Sequence, residues 1–544
     1  MGESDTETLL TAIEVWGVED ALKRAIGMFA IALWDSQTQT LILARDRMGE
    51  KPLYYGWHGQ GSSALFLFGS ELKALKGHPE VSFKIERNAI VELIRHGYIP
   101  APISIYQGIF KLEPGCLLSV SLSNPTVKVK KYWGMEERAH LAKETPFIGS
   151  RLEAVDNLEQ LMKNVVGEMM LSDVPIGAFL SGGVDSSLIV ALMQSKVSQP
   201  IRTFTVGFDE PKYNEAPKAK LIAEYLGTSH TDIVVSSSDA LNVILNLSNF
   251  YSEPFADSSQ IPTLLVSKLA KQTVSVALTG DGGDELFGGY NRHKFTKNYW
   301  SRLAGIPLPV RKIGAKLISF LSHELFSGKE STGNFASKLQ KIAKVLPSKS
   351  FEDYYIRATS NSIDPNKFVL NDFYTPPYLN DWTGSFVDIS FAERVMYLDS
   401  TNYLPDDILV KLDRASMAYS LESRAPFLDH RIIDFALRLP LNLKISDSQT
   451  KWILRQILSK HVPQTLIENP KMGFSIPLGD WLRGPLLDWS ESLLDEKRLE
   501  LEGYLHPQNV RKVWLDHLSG KVDLSSILWS ILMFQLWLEK NNDS

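Results

Sequence analysis

Ser181-Gly182-Gly183-Val184-Asp185-Ser186-Ser187 is the stretch of this chain that decides its fold. It follows the apolar run 176–180, which is typical of a buried strand, and leads into the apolar run 188–192, which is typical of a helix. Adjacent glycines let the backbone approach a ligand closely, and serine hydroxyls with the free N–H groups of a helix start favour an anion. The lysine of a Walker loop is missing. The pattern predicts a phosphate-binding strand–loop–helix unit; the alternative is a glycine-rich turn of any doubly wound sheet.

A second glycine-rich turn, TGDGGDELFGGY at 279–290, follows another apolar run at 274–278. Ligands of an open parallel sheet lie beyond the carboxyl ends of its strands, so both turns are expected to face one crevice. Asp185, Asp281 and Asp284 would supply carboxylates there, and Mg²⁺ prefers carboxylates together with phosphate oxygens. The two turns therefore predict a magnesium–phosphate site. The alternative is that Asp281 and Asp284 are ordinary turn and helix-start residues.

Composition narrows the class of protein. The chain has 544 residues, of which 44% are hydrophobic, which is enough for two domains with their own cores. Its net charge of −6 gives no reason to expect a nucleic acid or an anionic membrane as partner. A single cysteine excludes an intramolecular disulfide framework and suits a reducing compartment. The start is acidic, unlike a signal peptide, and the most apolar stretch, 524–538, is shorter than the ~20 residues that span a bilayer. We therefore expect a cytoplasmic protein.

Hydrophobic periodicity divides the chain into two parts. Residues up to 133 mix a helical pattern with strand patterns joined by short turns, which indicates an α+β arrangement. The polar stretch 134–146 is the natural linker. Strand patterns at 176–180, 201–207, 231–235 and 274–278 then alternate with helical ones, which predicts a parallel sheet with helices on both faces. Beyond about residue 290 the pattern is almost purely helical.

Longer motifs carry a resemblance to a known family. The turn at 279–290, EPFADSSQIPT at 253–263 and LPDDILVKLDRASMAYSLESRAPFLDH at 404–430 resemble the synthetase domain of glutamine-hydrolysing asparagine synthetases. SGGVDSS resembles the pyrophosphate loop of N-type ATP pyrophosphatases. The resemblance implies an α/β fold with a C-terminal doubly wound parallel-sheet ATP pyrophosphatase domain, similar to adenine nucleotide alpha hydrolases, over 150–544 with a helical extension. It also implies a truncated α+β N-terminal-nucleophile glutaminase domain, a partial class II glutamine amidotransferase, over 1–135.

The same resemblance implies the reaction. Aspartate would be amidated to asparagine through a β-aspartyl adenylate, with release of AMP and pyrophosphate. ATP and Mg²⁺ would be the cofactors, ammonia or glutamine would supply the nitrogen, and a homodimer is left open.

Site residues follow from the matched motifs. The nucleotide would contact Leu180, Ser181, Gly182, Gly183, Asp185, Ser186, Ser187, Val206, Thr279 and Gly280. The metal would be held by Asp185 and Asp284. Catalytic roles would belong to Asp281, Lys411, Arg414 and Lys471, with Lys451 as a weaker candidate of the same kind as Lys471. Substrate would be bound by Asp257 and Ser258, and glutamine by Asp5.

Each role has a plainer alternative. Leu180 and Val206 suit simple core packing, and the charged stretch 406–414 suits a solvated helix face. Lys471 suits a surface lysine. Some members of the family carry a glutamate at Asp281, so the shorter side chain leaves its catalytic role open.

The glutaminase half departs from the family. Its members begin with a cysteine whose own amine serves as the base. The only cysteine here is Cys116, in a strand pattern far from the start, and the opening residues resemble the middle of a glutaminase domain. We therefore expect the chain to use ammonia and not to hydrolyse glutamine.

Two other readings stay open. A related enzyme of this fold could amidate a sugar acid or a peptide precursor, or close a β-lactam ring, since substrate choice lies in loops. The chain could also be a non-catalytic remnant or interaction protein, against which the two intact glycine motifs argue. A dinucleotide dehydrogenase is disfavoured, because no G-x-G-x-x-G opens a helix after the first strand of the sheet.

Overall fold

The computed structural model describes residues 4–324, 333–370, 374, 389–446, 449–467 and 476–542. In these ranges the strands form two antiparallel sheets followed by one parallel sheet. The strands are β1 (Ala30–Asp35), β2 (Thr40–Arg45), β3 (Tyr54–His58), β4 (Leu65–Gly69), β5 (Ile109–Lys111), β6 (Cys116–Ser121), β7 (Lys128–Lys131), β8 (Ile176–Phe179), β9 (Arg202–Phe208), β10 (Ser229–Val235), β11 (Val276–Leu278) and β12 (Glu422–Arg424).

Helices make up most of the rest. The α-helices in the described ranges are α1 (Asp5–Trp16), α2 (Val18–Arg24), α3 (Leu72–Lys76), α4 (Arg87–His96), α5 (Met135–Glu144), α6 (Arg151–Met169), α7 (Val184–Gln194), α8 (Ala216–Leu226), α9 (Ser237–Ile244), α10 (Leu247–Phe250), α11 (Gln260–Lys271), α12 (Gly283–Phe287), α13 (Asn291–Phe295), α14 (Ser301–Ala304), α15 (Leu308–Glu324), α16 (Gly333–Val345), α17 (Phe351–Thr359), α18 (Phe391–Leu398), α19 (Leu409–Met417), α20 (His430–Arg438), α21 (Leu441–Lys444), α22 (Trp452–Leu458), α23 (Gln464–Ile467), α24 (Leu478–Arg483), α25 (Leu487–Leu493), α26 (Glu496–Glu502), α27 (Pro507–Leu518) and α28 (Ser525–Asn542). A wider π-type turn, Asp399–Ile408, contains Pro405 and runs directly into α19.

The two antiparallel sheets pack face to face in the N-terminal part. Their strand orders are β1-β2-β6-β7 and β4-β3-β5. Along β6, Cys116, Leu118 and Val120 are buried and alternate with less buried neighbours, as expected when one face of a strand points inward. They share a core with residues of β2, β3 and β4. Helix α2 packs on the outer face of the first sheet through Leu22, and α4 packs beside the second, so helices cover both sheets.

The parallel sheet has the strand order β10-β9-β8-β11-β12. The chain starts in the middle strand, β8, runs outward to β10 and then returns to the other side of β8. A reversal of this kind leaves a crevice beyond the carboxyl ends of β8 and β11, where doubly wound folds bind ligands. The sequence predicted the first four strands to within a few residues, and the structure confirms the doubly wound α/β fold. It adds β12, a short edge strand that periodicity did not indicate.

The connection between the two parts is helical and packed. The polar stretch 134–146, interpreted as a linker, contains helix α5. The helix is fixed because Met135 and Ala142 are buried and because Arg138 forms a two-pronged ion pair with Asp434, with a 2.7 Å bond from Nε to Oδ1. Charged residues on the outer face of a packed helix gave the stretch its polar composition.

The C-terminal helix α28 is buried, as the sequence predicted. Trp529, Phe534 and Trp537 are almost fully inaccessible and belong to the core beside β9 and α11. The same core includes residues of β3, α3 and α4 from the N-terminal part, so the two parts share one apolar interior. Among the described residues, the structure contains no helix whose length and hydropathy would let it cross a bilayer.

Candidate active site

The two glycine-rich turns meet at the crevice between β8 and β11. A Cβ atom added to Gly280 would lie 2.8 Å from the backbone nitrogen of Ser186 and 2.9 Å from Cβ of Asp185. One added to Gly283 would lie 2.8 Å from Cγ of Asp185. Real Cβ atoms do not tolerate such distances, so only glycines let the second turn rest against the first.

Hydrogen bonds within the first turn shape it for a ligand. The hydroxyls of Ser181 and Ser186 lie 3.0 Å apart, and the hydroxyl of Ser186 also accepts from the amide of Ser181 at 3.2 Å. Gly182 takes a φ of 72°, in the left-handed region that favours glycine. Gly183 caps α7 without a side chain, so the first N–H groups of that helix remain available to an anion.

Two hydroxyls at this crevice are buried and lack partners. Ser187 Oγ and Thr279 Oγ1 make no hydrogen bond to any part of the chain that the structure describes. Buried polar atoms are nearly always paired, so an unpaired one in a cleft points to a ligand. Both residues belong to the predicted nucleotide contacts.

The two predicted metal carboxylates are joined by a lysine. Lys451 Nζ forms an ion pair with Asp185 and lies 2.5 Å from Oδ1 of Asp284. Burial lowers the pKa of Lys451, but the charges of the two carboxylates outweigh it and raise that pKa above its ordinary value. The fold thus brings together three charged side chains from three separate elements: Asp185, Asp284 and Lys451.

Local backbone features make room for this lysine. Lys451 itself has a φ of 54° just before α22, a conformation that is uncommon for residues other than glycine. Gly289, at the end of the second turn, touches both Asp284 and the stem of Lys451, where a larger residue would collide with them. Strained backbone of this kind often occurs at functional sites.

A second charged group lies on α11 and α19. Lys411 Nζ is 2.8 Å from Oδ2 of Asp257 and 2.8 Å from the hydroxyl of Ser259. Burial raises the pKa of Asp257, but the ammonium of Lys411 outweighs it and holds that pKa below its ordinary value. Burial and then the charge of Asp257 raise the pKa of Asp407 well above its ordinary value. Asp281 contributes to the field at Lys411, which connects this group to the second glycine turn.

The structure distributes the other predicted residues as follows. Leu180 and Val206 are buried in the cores on either side of the sheet. Ser258 precedes α11, next to Ser259, whose hydroxyl contacts Lys411. Arg414 is directed at the N-terminal part, where it donates to the carbonyl of Ser70 and pairs with Glu71 at 3.4 Å.

Three more residues were singled out in the sequence: Asp5, Cys116 and Lys471. Asp5 lies exposed in the first turn of α1 and accepts from the amide of Thr6 at 2.7 Å. Cys116 is buried in β6, and burial raises the pKa of its thiol to about 11. Lys471 lies outside the described residues.

Sequence reasoning did not place Lys451 beside the predicted metal carboxylates. Lys451 was the weaker of two lysine candidates, yet it contacts both predicted metal carboxylates. The sequence did contain one indication for Lys451, namely its position directly before the apolar residues that start α22. Ser259 and Asp407 were not assigned, although both lie in motifs that were singled out.

The donor set suits magnesium. Asp185 and Asp284 direct carboxylate oxygens to one point beside a phosphate-binding turn, and Mg²⁺ is usually held by one or two carboxylates plus phosphate oxygens. Among the described residues no group of three or more His, Cys, Asp or Glu side chains forms a metal cage. Two carboxylates therefore fit an ion that arrives with the phosphates of a nucleotide.

Comparisons with known proteins agree with this geometry. Residues 157–539 match the family described as asparagine synthase, and residues 1–133 match the glutamine amidotransferase domain. The chain is 30% identical over 537 residues to asparagine synthetase [glutamine-hydrolyzing] 1 of Bacillus subtilis (strain 168), covering 98% of this chain and 80% of that protein. It is 27% identical over 523 residues to asparagine synthetase [glutamine-hydrolyzing] 3 of the same organism, covering 91% and 76%.

A relative with a different name is also similar. The chain is 25% identical over 546 residues to amidase chry2 of Gibberella zeae, covering 93% of this chain and 77% of that protein. The family match spans most of the chain and includes both glycine turns and Lys451. The chain therefore belongs to the asparagine synthase family and is an ATP-dependent ligase of the amidotransferase type.

Proposed function

We propose that this enzyme amidates the side chain of aspartate to give asparagine. In the first step, an oxygen of the aspartate β-carboxylate attacks the α-phosphorus of ATP, and the bond from that phosphorus to pyrophosphate breaks. In the second step, ammonia attacks the acyl carbon of the β-aspartyl adenylate, a proton leaves the nitrogen, and AMP departs. We also infer domain limits near 1–135 and 150–544, which the ranges of the two family matches support.

The observation that carries the proposal is the meeting of Asp185, Lys451 and Asp284 beside the turn 181–187. The turn and the start of α7 would bind the pyrophosphate portion of ATP. Magnesium held by Asp185 and Asp284 would neutralise phosphate charge. Lys451 is positioned to stabilise the negative charge that grows on pyrophosphate as it leaves, and a preorganised charge of this kind is often a large catalytic contribution.

The second charged group supports an amino-acid substrate. Aspartate carries an ammonium and two carboxylates, so a site for it needs both acidic and basic groups. Asp257 and Lys411 provide one of each, and Ser259 adds a hydroxyl. The pKa of Asp257 is held below its ordinary value and that of Asp407 is raised, so Asp257 is the carboxylate of this group that would face a substrate ammonium.

A different acceptor carboxylate is the second candidate. It is favoured by the similarity to a relative named as an amidase and by Asp281, a shorter side chain than the glutamate of some family members. The fold and the nucleotide site would be the same for both candidates. Only the residues that surround the acceptor would differ.

An exchange assay separates these candidates. The full chain is incubated with MgATP, labelled pyrophosphate and one carboxylic acid at a time: aspartate, glutamate, a sugar acid or a β-amino acid. We expect label to enter ATP with aspartate and at least tenfold less with the others. Asp185→Asn should abolish the exchange, whereas Asp156→Asn, on the exposed surface of α6, should not.

Each outcome has a clear meaning. Preference for another acid would replace aspartate as the substrate and leave the adenylation site in place. Failure of every acid, together with failure to bind MgATP, would contradict the enzymatic proposal and favour a non-catalytic protein.

A further inference from the structure

A cavity of about 220 Å³ lies away from the adenylation crevice. It is enclosed by α5, α12, α18 and the segment that contains α20 and α21. Glu285 and Leu286 of α12 line it, but their neighbour Asp284 does not, and neither does Lys451. The cavity is therefore separate from the site proposed for the nucleotide.

Most of the cavity wall is apolar. Met135 and Ala142 come from α5, Leu286 from α12, Met396 from α18 and Ala436 from α20. An apolar wall of this kind favours a ligand with a hydrocarbon body, since such a surface gains free energy when water leaves it.

One buried cation marks the cavity. Lys444, the last residue of α21, lines it and is only 4% exposed. Within the described part of the chain, no hydrogen bond or ion pair of its ammonium is found. The ammonium is not among the solvent-excluded polar atoms of the described residues, so it faces the space of the cavity, where an anionic group can pair with it.

The charged groups around Lys444 limit how much negative charge a bound ligand can carry. Arg438, on the cavity wall, donates to the carbonyl of Thr145 at 2.6 Å, and Lys143 is exposed. Glu393 lines the cavity as a carboxylate, so its charge opposes that of an anionic ligand. The acidic groups of the wall disfavour a multiply charged anion, so a carboxylate suits the cavity better than a phosphate dianion.

We propose that this cavity is a second ligand site, which takes a small monocarboxylate with an apolar body and binds its carboxylate through Lys444. The apolar wall holds the hydrocarbon part, and the ammonium fixes its orientation. None of the described residues that line the cavity is one that we assign to the adenylation site, so the two ligands bind side by side.

The binding should weaken as pH rises. Burial lowers the pKa of Lys444 to about 8, an effect that the charge of Glu393 only partly opposes, so the ammonium is lost above that pH. Glu285 is a further acidic group of this wall. The other ionisable groups of the wall are Lys143, Arg438 and Tyr397, and burial raises the pKa of Tyr397.

Hexanoate is a suitable probe, because it joins a short hydrocarbon chain to one carboxylate. Its binding to the full chain is measured by calorimetry at pH 7. Two compounds serve as controls: hexan-1-ol, which lacks the charge, and acetate, which lacks the long hydrocarbon chain. We expect saturable binding of hexanoate and at least tenfold weaker binding of both controls. Affinity should fall at least threefold between pH 7 and pH 9.

Two variants test whether hexanoate binds in this cavity. Lys444→Met keeps an apolar stem and removes the charge, and it should weaken hexanoate at least tenfold. It should also raise the thermal stability at neutral pH, because it removes an unpaired buried charge. Ala139→Phe, at a half-buried position on the wall, should exclude hexanoate by filling the space. Lys497→Met is the matched control at an exposed lysine of α26, which does not line the cavity, and it should change the affinity less than twofold.

Three results would overturn the proposal. One is the absence of saturable binding to the unaltered chain. Another is equal affinity in the unaltered chain and in both Lys444→Met and Ala139→Phe. The third is displacement of hexanoate by saturating aspartate and MgATP, which would place it at the adenylation site instead.

Discussion

At the residue scale, Lys451 holds together two carboxylates that would otherwise repel each other. Asp185 and Asp284 come from different glycine turns and share one ammonium at the carboxyl edge of the sheet. Removing that ammonium leaves like charges beside each other in a partly buried place, which is unfavourable. A divalent cation at the same point would offset the repulsion.

The first prediction follows for Lys451→Met. Pyrophosphate exchange should fall about 100-fold or more, because a preorganised charge at the leaving group is lost. The melting temperature should fall in the presence of a chelator and recover in part when Mg²⁺ is added. Lys460→Met is a matched control, since Lys460 also pairs with two carboxylates, Asp156 and Glu159, but at the surface. Normal exchange by Lys451→Met would contradict the role given to this residue.

The second prediction concerns Cys116→Ser. Cys116 is buried in β6 and its thiol has a raised pKa of about 11, so no reactive thiolate forms near neutral pH. Ammonia-dependent synthesis should be unchanged in this variant, and glutamine should yield no glutamate with either protein. Glutamate production that disappears on substitution would show that Cys116 is a nucleophile after all.

Local sequence patterns identified the residues that make up each glycine turn. They did not identify which residues far apart in the sequence lie next to each other in the fold. The glycines and carboxylates of both turns follow from local patterns. Lys451 and Asp185 are 266 positions apart, and no periodicity connects them. Only the folded backbone, with its left-handed conformation at Lys451, shows that this lysine reaches the carboxylates.

At the element scale, helix α19 directs its charges to two different places. Lys411 points to Asp257 and Ser259, whereas Arg414, three positions later, contacts Ser70 and Glu71 of the N-terminal part. Asp413 lies between them and pairs with Lys51 at 2.8 Å. Positions two apart do not face each other on a helix, so Asp413 diverges from Lys411. Arg414 is three positions after Lys411, and its long side chain extends to the N-terminal part instead.

The third prediction contrasts these two cations. Lys411→Met should lower aspartate-dependent exchange about 100-fold, since it removes a cation beside the proposed substrate. Arg414→Met should keep exchange within about threefold and destabilise the fold by roughly 1–3 kcal/mol, the usual worth of a lost hydrogen bond to a charged group. Exchange and melting temperature are measured on both variants. A large loss of exchange in Arg414→Met would instead support the catalytic role that the family resemblance implies.

The long strands of the parallel sheet were easier to predict from the sequence than the short strand β12 and helix α5. Parallel strands read as continuous apolar runs because both faces are buried, as along β9. The short strand β12 has no such run, and it exists because Glu422, Ser423 and Arg424 pair with β11. Helix α5 was hidden because its polar outer face dominates its composition.

At the scale of the whole molecule, one core joins the two parts of the chain. Tyr106 lies against the ring of Trp537 with 5.8 Å between ring centres, and its hydroxyl donates to Asn541 at 3.2 Å. The amide of Ala256 donates to the carbonyl of Gly97 at 2.7 Å. Lys111 forms a buried ion pair with Glu253, and breaking a buried pair is costly.

The fourth prediction is that the full chain unfolds in one cooperative transition, because neither part keeps a complete core without the other. Calorimetry of the full chain should show a single peak, and the fragment 150–544 expressed alone should lack one. Two well-separated peaks, or a folded fragment, would show that the parts are independent.

The shared core has a consequence for how such a protein can change over time. A gene that exchanges its first part with a relative also exchanges one half of an apolar interior, including Tyr54, Leu72 and Ile90. The new half must match side chains on α11 and α28 that were selected beside the old one. Recombination between relatives should therefore succeed only where both surfaces are inherited as a set, and the two parts should share an evolutionary history.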